Sequence, residues 1–128
     1  MENYYLVLEL PIENPVSDPS AVEAALDKKQ KEWKSSNNTQ VKAKVTQYIV
    51  SGVIKNAAAD PAVWKSVCDD ARKIVDNDLS SRLSIVAASL GGGVSKKDIE
   101  GILNKYKYKK SVNYAYADRL RKKLGIGL

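Results

Sequence analysis

Apolar positions recur along this chain at the spacing of amphipathic helices, and polar runs separate them sharply. Val22, Ala25, Leu26 and Trp33 share one face of a 3.6-residue period between Pro19 and Lys34. Ser17 or Asp18 can cap that helix, and Pro19 stands where no amide donor is needed. The run Ser35-Ser36-Asn37-Asn38-Thr39 breaks it, with Asn38 or Thr39 as the next cap. Val41, Val45, Ile49 and Val53, with Tyr48 beside them, predict a third helix to about Ala58. Gly52 costs that helix roughly 1 kcal/mol relative to alanine. Its expected role is close approach to the second helix. Asp60-Pro61 opens a fourth helix with Val63, Trp64, Val67, Ala71, Ile74 and Val75 inward. The stripe continues through Leu79, Leu83, Val86 and Leu90, which predicts one helix to about Leu90 or two broken near Asp76-Asn77-Asp78.

The two ends are less regular. Asn3 to Leu10 is apolar and stops at Pro11; a strand and a short helix fit it equally. The proline-rich stretch 11–20 reads as a loop. Gly91-Gly92-Gly93 stops any helix and predicts a flexible hinge. A phosphate loop is not expected there, because no strand leads in and no Gly-Lys-Ser/Thr follows. Ser95 and Asp98 match a capping box, ahead of a short helix with Ile99, Ile102, Leu103 and Tyr106 inward. A lysine-tyrosine turn follows. The last helix, about Val112 to Leu124, is read with Ala115, Tyr116, Leu120 and Leu124 inward and Arg119, Arg121, Lys122 and Lys123 outward. The expected fold class is all-α: a helical bundle over residues 1–90, a glycine-rich hinge at 91–94 and a basic helical hairpin at 95–128. A hairpin of that size is too small to be stable alone. It is expected to dock on the N-terminal part, or on chain beyond Leu128.

Composition narrows the chemistry. Apolar residues make up 44% of the 128 positions, and phenylalanine is absent, so bulk must come from two Trp, seven Tyr and the aliphatics. No apolar run nears the roughly 18 residues a membrane span requires. The acidic opening MENYYLVLELP is not a signal peptide. A lone Cys68 cannot form an internal disulfide, which suits a reducing cytoplasm, and it reads as an inert small core residue. There is no histidine, so the commonest general base and metal ligand are missing. The carboxylates Asp69, Asp70, Asp76 and Asp78 read as solvated surface, since such close helical spacings do not converge. No enzyme, metal or cofactor is expected. Lys29 interrupts the apolar stripe of the second helix, and its stem is expected to cover core while its ammonium reaches water.

Charge is unevenly spread. Residues 96–128 carry 10 basic and 3 acidic side chains, whereas residues 1–95 carry 11 and 12. Lys105, Lys107, Tyr108, Lys109 and Lys110 interleave cations with aromatics, and Arg119, Lys122 and Lys123 follow on the last helix. Lysine attracts phosphate and tyrosine can stack on unpaired bases, so these eight residues are the candidate nucleic-acid surface.

The order of elements at the N-terminus carries a resemblance. Tyr4-Tyr5-Leu6-Val7-Leu8-Glu9-Leu10-Pro11 resembles the opening of J-domains, the co-chaperone modules that stimulate Hsp70 proteins. Asp18 to Leu26 is similar to the start of their second helix, and Asp60-Pro61 resembles the junction after their long third helix. The resemblance covers roughly residues 3–75. It implies antiparallel second and third helices and a basic second-helix face, here Lys28, Lys31 and Lys34, offered to an acidic Hsp70 surface. It departs at one decisive place. The His-Pro-Asp tripeptide that triggers ATP hydrolysis is replaced by Lys34-Ser35-Ser36, and Lys29 stands where the family has a core leucine. The expected function is therefore a protein-interaction module with a J-like fold and no Hsp70 activation. The alternative is a nucleic-acid-associated module.

Overall fold

A computed structural model describes residues 2–128. They form no strand beyond an isolated bridge between Gly93 and Gly127, so the fold is all-α. The helices are α1 (Tyr4–Val7), α2 (Pro19–Ser35), α3 (Thr39–Lys44), α4 (Val53–Ala59), α5 (Pro61–Ser89), α6 (Lys96–Asn104) and α7 (Tyr114–Lys123). A π-helical stretch, Val45–Val50, joins α3 to the turn before α4, and a 3-10 turn, Lys109–Ser111, precedes α7. The chain divides into two compact units, 1–10 with 15–69 and 11–14 with 70–128. The division falls inside α5, and residues 91–94 lie within the second unit.

In the first unit the short N-terminal segment is a helix. The Asn3 side chain accepts from the Leu6 amide and donates to the Val67 carbonyl. Tyr5 and Trp64 pack ring to ring at 6.0 Å and pin the following loop at one residue. The Val16 amide donates to the Tyr5 hydroxyl (2.9 Å), and the Trp64 indole donates to the Val16 carbonyl (2.8 Å). Asp18 caps α2, which buries Val22, Leu26, Lys29 and Trp33. Trp33 meets Tyr48 at 5.9 Å and the Lys44 ammonium at 6.0 Å, while Glu23 pairs with Lys55 at 3.8 Å. Early residues of α2 thus face late residues of the next segment, which is an antiparallel pairing.

The single third helix read from the sequence is not continuous. Gly52 has φ +73°, a left-handed turn that separates the π stretch from α4. A β-carbon there would meet only Asn56 Nδ2 at 3.8 Å, so backbone conformation, not close approach to α2, is why glycine stands there. The fourth helix, by contrast, runs unbroken to Ser89.

In the second unit α5 buries Ala71, Val75, Leu79, Leu83 and Ala87, one residue every turn. The expected hinge glycines end α5 as a left-handed cap. Gly91 and Gly92 have positive φ, and the Gly92 amide returns to the Ala87 carbonyl at 2.7 Å. Val94 then bonds to the Gly127 carbonyl. The Ser95–Asp98 capping box opens α6 as read. The inward face of α7 is Tyr116, Ala117, Leu120 and Arg121; Ala115 and Leu124 are exposed. Arg121 was expected to point outward, but it is buried because Asp118 and the Ile126 carbonyl pair it.

Two glycines give opposite predictions. Gly101 lies inside α6 with ordinary φ and open space around it. Gly101→Ala should stabilise the protein by about 0.5–1 kcal/mol. Gly52→Ala should destabilise it by about 1 kcal/mol or more, because alanine dislikes the left-handed region. Urea unfolding of both variants checks this; a stabilising Gly52→Ala would restore the continuous third helix.

Candidate partner-binding surfaces

Lys28, Lys31 and Lys34 are exposed on α2, on the side opposite its buried stripe. Spacing by three places successive lysines about 60° apart around the helix. Asp27 lies on the same face, so the face is basic without being purely cationic. Its direction follows from the buried stripe of Val22, Leu26, Lys29 and Trp33 on the other side of the helix. Lys29 is buried, its side chain only 9% exposed, and its ammonium is held between two carboxylates. It donates to Glu9 and to Glu32 (2.9 Å). Burial pulls the pKa of that ammonium down, but the hydrogen bonds and charges of Glu9 and Glu32 outweigh burial and raise it.

The loop after this face is closed by its own hydrogen bonds. Ser36 Oγ accepts from the Asn38 amide (3.1 Å), and Asn38 Oδ1 caps α3 through the Gln40 and Val41 amides. Ser35 Oγ donates back to the Glu32 carbonyl (3.0 Å). Residues 34–36 thus carry two hydrogen-bonded serine hydroxyls and the exposed Lys34.

Several of the eight candidate residues of the second unit are engaged with neighbouring groups. Lys105 lines a cleft between α5 and α6. Lys107 lies over the Tyr108 ring at 5.2 Å, and Tyr108 is half-buried, edge-on to Tyr106 at 5.7 Å. Lys109 donates to the Asn104 carbonyl, and Lys110 borders a small pocket beside Glu13. Arg119 pairs with Glu13, and Lys122 reaches Asp118 at 3.6 Å. Lys123 and Arg119 edge a third depression with Arg72.

Sequence reasoning missed the acidic partners that order this unit. Asp76 and Asp78 are half-buried acceptors, not solvated surface. Tyr116 donates to Asp76, and Tyr106 donates to Asp78 (3.2 Å). Arg82 lies over the Tyr106 ring at 5.4 Å, and Arg72 over the Tyr116 ring at 5.8 Å. The signal was faint: two poor helix formers in the middle of a long helix. Burial, reinforced by Asp78, pushes the Tyr106 hydroxyl far up, and burial with the Asp76 hydrogen bond pushes Tyr116 up to about 12. Burial also raises the Cys68 thiol, which disfavours a reactive thiolate. Among the described residues, no cluster of three or more His, Cys, Asp or Glu side chains could hold a metal, and no helix is long and apolar enough to cross a membrane. No family model, curated protein or solved structure matches the chain.

Tyr116 makes a pH prediction. The unfolded chain releases this proton near pH 10 and the folded chain near 12, so the stability it contributes is complete below pH 10 and lost as pH rises to 12. Between about pH 9.5 and 11.5 the wild type should lose about 1–2 kcal/mol more than Tyr116→Phe in urea unfolding. Equal losses would contradict the assignment.

Proposed function

We propose that the protein is a non-enzymatic protein-interaction module of the reducing cytoplasm, J-like in its first unit and unable to activate Hsp70. One observation carries this reading. The antiparallel pairing of α2 with the α3–α4 segment leaves Lys28, Lys31 and Lys34 outward, while the adjoining loop has capping serines in place of the trigger. Lysines on a fixed helix face suit an acidic partner surface, where complementary charge sets orientation and association rate. The break at Gly52 departs from the long third helix of the resemblance, but it lies away from the lysine face in sequence and leaves the pairing in place.

Nucleic-acid contact through the second unit has less behind it. Stacking needs an open aromatic face. Tyr106 is buried and Tyr108 is half-buried beneath Lys107, so these two rings offer little open face beside the lysines.

The test is ATP turnover by the host Hsp70. The protein alone should not accelerate it. In excess, it should reduce stimulation by an ordinary J-protein at least about twofold, through competition for the same acidic surface. The Lys28→Glu/Lys31→Glu/Lys34→Glu variant should lose that inhibition. Acceleration comparable to an ordinary J-protein, or no competition at all, would sink the reading.

A further inference from the structure

The second unit has a groove that its own packing does not explain. It is a shallow, open depression of about 560 Å³ between α5 and α6. Its floor is apolar: Ile85 and Val86 from α5, Gly101 and Ile102 from α6. Ile85 is 67% exposed and does not stand alone, since Val86 and Ile102 line the same depression and extend it into an apolar patch. Gly101 is anomalous. Its φ is ordinary and a β-carbon would meet nothing within 4 Å, so neither conformation nor internal packing calls for glycine. A bare backbone in mid-helix leaves room for another helix to approach closely.

The rim carries Arg82, Lys97 and Lys105 against the single carboxylate of Asp98. Asp98 is already committed, since it accepts from both the amide and the hydroxyl of Ser95. The groove is thus an apolar floor with a cationic edge, about as long as the nine-residue α6. We propose that it binds an amphipathic helical segment of a partner protein, with apolar residues at i, i+3 or i+4, and i+7, flanked by Asp and Glu. The apolar anchors cover Ile85 and Ile102, and the acidic flanks meet the rim. A partner helix with basic flanks is repelled. This site is independent of the lysine face on α2.

The experiment selects binders to the full chain from a display library of random peptides of roughly 16 residues, enough to lay about nine helical residues along the groove with acidic flanks at either end. Enriched peptides are then measured by fluorescence anisotropy. The expected result is enrichment of acidic amphipathic sequences whose affinity falls roughly tenfold or more in the Lys97→Glu/Lys105→Glu variant. Gly101→Leu should abolish binding by filling the floor, with an unchanged or raised melting temperature as proof of folding. The proposal is overturned by no enrichment, by binding indifferent to both variants, or by sedimentation showing that a second copy of the chain covers the groove.

Discussion

A single buried ammonium constrains the first unit. Taking a lysine out of water costs several kcal/mol unless opposite charge meets it. Lys29 meets two carboxylates, one from its own helix and one from Glu9, just beyond α1. Glu9 sits there at φ +56°, a left-handed conformation that costs a non-glycine residue about 1–2 kcal/mol. The turn is tolerated because it does two things at once. It delivers the carboxylate to Lys29, and it lets Leu8 and Leu10 on either side both be buried. The end of α1 is thereby tied to the middle of α2, and with Val22, Leu26 and Trp33 buried on the same stripe the rotation of α2 about its axis is set. Lys28, Lys31 and Lys34 face outward as a consequence.

The second unit solves a similar problem with neutral donors. Asp76 and Asp78 are two positions apart on α5, so they point to different sides of the helix. Each receives a tyrosine from a different element: Tyr116 from α7, and Tyr106 from the turn after α6. Arg72 and Arg82, four residues before each carboxylate or after it, cover the same two rings. The hairpin is thus bound to α5 by two hydrogen-bonded tyrosines beneath guanidinium groups. Much of the aromatic and cationic content that suggested a nucleic-acid surface is used in this internal way.

Apolar periodicity and capping chemistry made most helices legible in advance. Asp18, Asn38, Asp60 and Ser95 with Asp98 all cap as their positions imply, because a cap is a local interaction. The break at Gly52 was not legible, since a glycine in a helical pattern does not reveal the sign of its φ. Nor was the burial of Lys29 and Arg121, which rests on partners that spacing alone does not pair: Glu9 is 20 residues from Lys29, and the Ile126 carbonyl closes back on Arg121 from beyond the helix. The α2 lysine face was read correctly as outward. The groove beside α6 was not foreseen, because Val86 and Ile102 were assigned to the core and Ile85 was given no place in the pattern.

The account rests on the Lys29–Glu9 pair, and a double-mutant cycle isolates it. Urea unfolding of wild type, Lys29→Met, Glu9→Gln and the double variant gives their coupling. The Glu9 side chain is 33% exposed, which weakens the pair through solvent screening. A coupling of about 1–2 kcal/mol is expected, with the double variant less destabilised than the two single changes add up to. Additivity within about 0.3 kcal/mol would show that the ammonium and the carboxylate do not hold α1 and α2 together.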